Sequence, residues 1–193
     1  MRPIHFATRN RGKFFSVSDS LSKQGIETIQ VPIEMPEPRS DDLKEIAGEK
    51  VLFAYGKVGK PCISLDSGFY VDSLNGFPRA FVNFVLETIG INGILRLVEG
   101  KQRECEFRNC LAYFDGEVNK PLFFESRVFG TLAEAPRGEL QPNAWSDLFL
   151  IFTPVDSSKT LAEMTLKEYA EWKRLREADL FVTKFAEWFL ENR

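Results

Sequence analysis

The sequence places hydroxyl, amide and ammonium groups close together near its N-terminus. Residues 8–13 have the sequence TRNRGK, follow an apolar run at residues 4–7 that is typical of a short strand, and open a helical pattern. At a junction from strand to helix, the backbone N–H groups and the positive end of the helix dipole point to the same place. Such a place can bind a phosphate group. The same residues would also serve as an ordinary capped helix start with solvated basic side chains, so both interpretations stay open.

Two carboxylates are candidates for a metal site. Asp66 follows the apolar run at residues 62–65, which predicts a buried strand, and Glu37 lies in a loop stiffened by neighbouring prolines. Carboxylates at one sheet edge could share a Mg²⁺, which bridges protein oxygens to phosphate oxygens and can activate water. The alternative for Asp66 is a turn aspartate that precedes Ser67 and Gly68.

The elements that must position these groups follow from the spacing of apolar residues. The strands are predicted at residues 4–7, 27–33, 62–65, 103–114, 122–131 and 148–152. The helices are predicted after residue 13, after the cap pair Asp42 and Glu45, over 80–97 with a break at Gly90, after a capping box of Thr165 and Glu168, and from Leu180 onward. Strands that alternate with helices and then form a long antiparallel hairpin predict an α/β protein with a mixed central sheet and helices on both faces.

Composition limits the functions that remain. A chain of 193 residues with 44% apolar and 27% charged residues predicts one globular domain, 1–193. A net charge of −3 provides no positive field that would attract a nucleic-acid polymer. No apolar stretch is long enough for a membrane span, so a cytoplasmic protein is expected.

The single histidine, His5, excludes Ser-His-Asp and multi-histidine metal chemistry. Cys62, Cys105 and Cys110 lie in apolar runs and are predicted to be buried free thiols.

Several short motifs occur in a specific order along the chain. They are TRNRGK at 8–13, MPE at 35–37, LDSG at 65–68, NGFP at 75–78, APRG at 135–138, WSD at 145–147 and AEM at 162–164. With this set, the chain resembles the inosine triphosphate pyrophosphatase family from Ile4 to about Ala178. The opening motif is weak alone, whereas the order and spacing of the whole set are specific.

The resemblance implies an activity and a role for individual residues. It implies two lobes around a substrate cleft, in which Mg²⁺ assists the attack of water on the α-phosphorus of ITP, dITP or XTP and pyrophosphate leaves. Glu37 and Asp66 would bind the metal, and Asp66 would orient the attacking water. The residues implied to bind the nucleotide are Thr8, Asn10, Lys13, Lys50 and Ser67 at the phosphates, and Trp145, Asp147 and Arg174 at the base. A homodimer is also implied. The aromatic residues in the segment 81–84 could serve its interface, although core packing is the commoner outcome for an apolar helix face.

The chain departs from the family pattern at several places, and three of them concern the metal acids and the base-reading residues. Leu65 stands where a second acid normally precedes the aspartate, Tyr169 where a lysine is normal, and Arg174 where a histidine is normal. Two alternatives therefore stay open. Beside the purine-specific pyrophosphatase, they are a pyrophosphatase of the same fold with another nucleotide preference and a nucleotide-binding regulator without turnover.

Overall fold

The computed structural model of the protein describes residues 3–36 and 38–193. The strands are β1 (Ile4–Ala7), β2 (Thr28–Val31), β3 (Cys62–Val71), β4 (Pro78–Arg79), β5 (Glu104–Phe114), β6 (Leu122–Leu132) and β7 (Phe152–Pro154). The helices are α1 (Arg11–Ser22), α2 (Leu43–Val58), α3 (Val82–Thr88), α4 (Gly90–Leu97), α5 (Leu166–Leu175) and α6 (Phe181–Asn192).

The strands form one mixed sheet, which confirms the predicted α/β class. Its order is β2-β1-β3-β5-β6-β7, and β4 pairs with β3. β1 runs parallel to both β2 and β3, whereas β6 and β7 are antiparallel. β5 and β6 are neighbours joined by only the residues 115–121, which is too short for a parallel crossover, so they form the predicted hairpin.

Side-chain caps begin three of the helices, α2 and α5 at the predicted residues and α1 at Arg11, inside the segment predicted as a turn. The Asn10 side chain accepts from the Lys13 backbone N–H at the start of α1, and the Asp42 side chain accepts from the Lys44 N–H at the start of α2. Thr165 and Glu168 form the full capping box of α5. Each cap satisfies backbone donors that have no partner inside the helix.

Two strand predictions are wrong in extent. β3 does not end at Leu65 but continues to Val71, so Asp66 lies inside a strand and is not a turn aspartate. Apolar residues resume after the polar pair, and β3 pairs with β4 at Phe69 and Tyr70. The apolar run at 148–152 is mostly a short 3₁₀ turn, Asp147–Leu150, and β7 begins only at Phe152, because a continuous apolar run does not distinguish helix from strand.

The chain forms two compact units. The first contains residues 1–67, 109–126 and 177–193, and the second contains residues 68–108 and 127–176. Each has its own apolar core: Phe6, Leu111 and Phe185 belong to that of the first, and Phe107 and Phe152 to that of the second. The single-domain assignment stays a prediction.

Two further predictions concern cysteines and membranes. Cys62, Cys105 and Cys110 are buried free thiols, as predicted, and burial raises the pKa of Cys62 to about 11. Within residues 3–36 and 38–193, no helix combines the length and the apolar character that crossing a bilayer requires.

Candidate active site

The loop after β1 is held in a fixed shape by its own polar groups. The Asn10 N–H donates to Thr8 Oγ1 at 3.1 Å, and the Lys13 N–H donates to Asn10 Oδ1 at 2.9 Å. Gln30 on β2 donates to the Thr8 carbonyl at 3.1 Å, and Thr8 is buried. The predicted phosphate-binding residues therefore lie together at the C-terminal end of β1, at the N-terminus of the 12-residue helix α1.

The sheet order brings β3 to the same place. β1 pairs with β3 through Phe6 and Ile63, and continuing this parallel register places Thr8 beside Leu65. Lys13 Nζ donates to the Leu65 carbonyl at 3.3 Å. The order β2-β1-β3 makes this edge a topological switch point, the position where open α/β sheets bind ligands.

Lys50 and Asp66 form a buried ion pair next to this edge. Lys50 Nζ lies 3.1 Å from Asp66 Oδ1, and the two side chains are only 8% and 15% exposed. α2 is fixed against β3 by the Ser64 hydroxyl, which donates to the Ala47 carbonyl at 2.7 Å. The ammonium group is thus held where it compensates the carboxylate and extends the positive charge supplied by Lys13.

Two oxygens at this edge have unused hydrogen-bonding capacity. Asp66 Oδ2 and Ser67 Oγ are shielded from solvent and have no hydrogen-bond partner among the described residues. Buried polar atoms normally have a partner, so these two fit a ligand, and a carboxylate oxygen is the donor that a hard cation prefers. Glu37, the second predicted metal ligand, lies outside the described residues. The remaining residues contain no group of three His, Cys, Asp or Glu side chains that could hold a metal.

The residues predicted at the base belong to the second unit. Trp145 is half-buried and packs on Phe107 and Phe149, with ring centroids 5.7 and 5.9 Å apart. Asp147 is exposed and begins the short 3₁₀ turn that Ser146 caps. Trp145 therefore has a fixed ring, and Asp147 has a carboxylate in contact with solvent.

The α5 positions that depart from the family pattern differ in their surroundings. Tyr169 is buried in the apolar core, against Phe149 and Trp172, so a packing residue stands in the position of the usual lysine. Arg174 is exposed, and its guanidinium donates to the Glu171 carboxylate at 2.7 and 3.0 Å. Hydrogen bonds from Arg174 lower the pKa of Glu171. Leu65, the third departure, has its side chain in the core of the first unit.

A second cation, Arg176, lies directly after α5 and pairs with Asp156. Arg176 Nη1 donates to Asp156 Oδ2 at 3.1 Å, and Trp172 Nε1 donates to Asp156 Oδ1 at 3.0 Å. Burial disfavours ionisation of Asp156, but these hydrogen bonds outweigh it and lower the pKa of the carboxyl group. Arg176 is thereby fixed, with its side chain only 18% exposed. No local pattern links Asp156 to a helix that begins ten residues later.

The amino-acid sequence matches the model of a known protein family. The model of the Ham1 family matches residues 4–178. The chain belongs to the Ham1 family. This Ham1 protein is 35% identical over 190 residues to the dITP/XTP pyrophosphatase of Methanopyrus kandleri, covering 98% of this chain and 97% of the relative. It is 34% identical to the dITP/XTP pyrophosphatase of Thermococcus kodakarensis, with 98% of each chain covered. The resemblance predicted from the motifs is confirmed.

Solved Ham1 structures share the fold. The HAM1 protein from Coxiella burnetii superposes with a TM-score of 0.81 at 21% identity, covering 99% of this chain and all of the other. The Staphylococcus aureus Ham1 protein gives a TM-score of 0.78 at 19% identity, with full coverage of both chains. At these identities the likeness concerns the fold alone.

Proposed function

We propose that this Ham1 protein hydrolyses non-standard purine nucleoside triphosphates, among them dITP, XTP and ITP, to the monophosphate and pyrophosphate. The names of its relatives indicate this reaction class. One observation in this chain carries the proposal. Lys13, Lys50 and Asp66 lie at the switch point of the sheet, where one carboxylate oxygen of Asp66 is available to a ligand.

The residues of the first unit supply what phosphoryl chemistry asks of a protein, namely positioning and charge neutralisation. Backbone N–H groups at the start of α1 and the Asn10 amide orient the triphosphate, and Lys13 and Lys50 compensate its charge. Ser67 donates a hydrogen bond to a phosphate oxygen. Asp66 accepts a hydrogen bond from the attacking water and so directs it at the α-phosphorus.

A Mg²⁺ fits the free Asp66 oxygen, because hard cations prefer carboxylate oxygens and phosphate oxygens together. Asp66 and, by the family resemblance, Glu37 would hold the ion. When bound, the ion supplies charge neutralisation and lowers the pKa of a coordinated water. Lys50 holds Asp66 in place and pairs with only its other oxygen.

The experiment that tests the function measures pyrophosphate release from ITP, dITP, XTP, GTP, ATP and dUTP, with Mg²⁺ and with chelator. A 6-keto oxygen accepts hydrogen bonds whereas a 6-amino group donates them, so a cationic base site predicts a keto preference of about ten- to a hundredfold. Preference for another nucleotide would favour a pyrophosphatase of the same fold with a different substrate. Binding of a nucleotide without release of pyrophosphate would favour a nucleotide-binding regulator without turnover.

Arg174 is the cation proposed to contact the base. Arg174→Ala should narrow the ratio of kcat/KM for ITP to that for ATP toward one, because the keto-specific donor is lost. Lys167→Ala, an exposed cation on the same helix, is the control and should leave the ratio unchanged. An intact ratio in Arg174→Ala would remove Arg174 from the base site, and Arg176→Ala would then be the next variant to measure.

Lys13 is proposed to bind the triphosphate directly. Lys13→Ala should weaken ITP binding by roughly ten- to a hundredfold, since a charge-assisted hydrogen bond contributes about 1.5 to 3 kcal/mol. Binding of inosine, which has no phosphate, should hardly change. Lys23→Ala is the matched control, because Lys23 follows the same helix and pairs with Asp19 on the surface. Equal ITP affinity in the Lys13 variant and wild type would place the phosphates elsewhere.

A cytoplasmic homodimer completes the proposal. Phe81 and Phe84 are 48% and 67% exposed, so these two side chains are not core residues. Apolar rings on the surface of α3 and its N-terminal cap suit an interface between two copies. Sedimentation at twice the mass of the chain is the expected result.

A further inference from the structure

The loop that carries Trp145 and Asp147 is closed at its base by one residue. The two ends of this loop are Glu139 and Phe149. The Glu139 N–H donates to the Ala162 carbonyl at 3.1 Å, and the Ala162 N–H donates to the Phe149 carbonyl at 3.0 Å. Ala162 is only 4% exposed, so the backbone of one buried residue holds both ends of the loop.

A glycine allows the chain to approach Ala162 this closely. Gly138, directly before the loop, has φ +83°, a left-handed conformation that strains residues with a side chain. A Cβ atom at this position would overlap the carbonyl group of Ala162. Because that group belongs to the backbone, it cannot move aside as the end of a long side chain can. Any side chain at position 138 would therefore force the two segments apart.

An arginine braces the same contact from the other side of Gly138. Arg137 Nε lies 3.3 Å from Glu163 Oε2. Arg137 Nη2 donates to Thr153 Oγ1 at 3.3 Å and to the Ser158 carbonyl at 3.2 Å. The planar guanidinium group has donors in a fixed arrangement, so it holds β7 and the segment 158–163 at a defined separation.

Thr160 completes this arrangement. It is fully buried, its hydroxyl donates to the Arg137 carbonyl at 3.1 Å, and its N–H donates to Glu163 Oε2 at 2.8 Å. We name Arg137, Gly138, Thr160, Ala162 and Glu163 the loop anchor. It joins the motifs APRG and AEM, neither of which supplies a residue to the proposed contacts with the nucleotide.

The loop anchor connects the two parts of the proposed base site. Trp145 and Asp147 lie on the loop that it closes. On its other side the chain passes from Glu163 directly to Thr165, the cap of α5, which carries Arg174. A site that recognises a ligand needs its groups within about 0.5 Å of their productive positions, and the residues around them must maintain that precision.

Aromatic rings continue the connection between the loop and α5. Phe149, at the end of the loop, packs on both Trp145 and Tyr169, with ring centroids 5.9 and 6.1 Å apart. A displacement of the loop at Ala162 would therefore move the Trp145 ring relative to α5. Misplacement of a recognition group by about 1 Å can cost a large part of its effect.

We propose that Arg137 and Glu163 are positioning residues of the base site. They hold the loop with Trp145 and Asp147 in place beside α5, and so determine how well a keto base is distinguished from an amino base. This inference rests on the proposed function. Arg137 Nε and Nη2 and Glu163 Oε2 all contact protein groups, so both residues act through the loop and not on the nucleotide.

Gly138→Ala is the most direct test, because it opens the loop anchor without removing a polar group. The ratio of kcat/KM for ITP to that for ATP should fall by roughly three- to tenfold, the effect of one misplaced hydrogen bond. Gly100→Ala is the matched control. Gly100 has φ +70° in the same unit, but nothing lies within 4 Å of its Cβ position. Both variants strain the backbone, whereas only Gly138→Ala should change the ratio.

Arg137→Ala should lower the same ratio, and Arg137→Lys should recover part of it, because lysine keeps the charge beside Glu163 but not the planar fork. Arg108→Ala is the control, since Arg108 also pairs with a glutamate in this unit and its side chain is 42% exposed, against 43% for Arg137. Binding of inorganic tripolyphosphate, which has no base, should be unchanged in every variant, because the proposed phosphate residues belong to the first unit.

The base ratios are also measured as Kd with chelator present, so that they remain readable without turnover. If wild type prefers another base, the same ratio is formed for that base. Absence of pyrophosphate release by wild type would overturn the proposed function alone. Base ratios in Gly138→Ala and Arg137→Ala equal to those of their controls would overturn the role of the loop anchor. Weaker tripolyphosphate binding in Arg137→Ala would overturn it too, since Arg137 would then contact the phosphates.

Discussion

Replacing Asp66 by asparagine should reduce pyrophosphate release by about 10² to 10⁴ fold, the range for loss of a group that handles a reacting proton. The change is nearly isosteric, but it removes the negative charge that a cation needs and the acceptor that orients water. Lys50 then keeps its buried charge without a carboxylate, so some loss of stability accompanies the loss of activity. Activity should therefore be measured well below the melting temperature of the variant.

The control for this substitution is Asp19→Asn. Asp19 is in the same unit and pairs with Lys23 on the surface of α1, so its substitution should leave the rate near that of wild type. Titration of Mg²⁺ separates the two proposed functions of Asp66, since a lost metal ligand raises the Mg²⁺ concentration needed for half-maximal rate. Near-normal turnover with an unchanged Mg²⁺ dependence would remove Asp66 from the site.

The sequence predicted the elements well where local signals agree. α2 and α5 begin at caps that are recognisable in the sequence, and β5 and β6 are long segments that contain many aromatic and aliphatic residues. The errors lie where local patterns are ambiguous. β3 continues through the polar Asp66 and Ser67 because pairing with neighbouring strands decides its length, and that pairing is not visible in a local window.

The phosphate site was more predictable than the rest of the candidate site. Thr8, Asn10 and Lys13 occupy one short loop, so their proximity follows from the sequence itself. Lys50 is 16 residues from Asp66, and only the family resemblance placed it at the site.

The proposed base site shows a different limit of sequence reasoning. Motif position indicates that Tyr169 and Arg174 replace a lysine and a histidine, but it does not show what surrounds them. Tyr169 enters the core whereas Arg174 pairs with Glu171 at the surface. Arg176, just after these positions, is held by Asp156 and has a side chain that is largely shielded from solvent. Tertiary packing determines which face of a helix is buried. The contacts that hold a cationic side chain in place therefore cannot be predicted from its position in a motif.

The second large effect is expected from Lys50→Met. This change retains most of the side-chain volume but leaves the Asp66 carboxylate buried without its cation, which should destabilise the protein by on the order of 3 kcal/mol. The double variant Lys50→Met with Asp66→Asn should recover part of this loss, because no unpaired charge remains. Urea unfolding of the four proteins gives the coupling energy of the pair directly.

Lys44→Met tests whether burial of the ion pair or the distance between its charges determines the stability that is lost with the lysine. Lys44 lies on the same helix, and its Nζ is 2.8 Å from the Glu125 carboxylate, closer than the 3.1 Å between Lys50 and Asp66. Both side chains of the surface pair are about half exposed, so water replaces the lost partner and the cost should be about 0 to 1 kcal/mol. If the two lysine variants lose equal stability, or if the double variant is no more stable than Lys50→Met, the buried pair does not act as a unit. In that case Lys50 would not hold Asp66 in position, and the proposed contribution of Lys50 at the phosphates would have to come from direct binding alone.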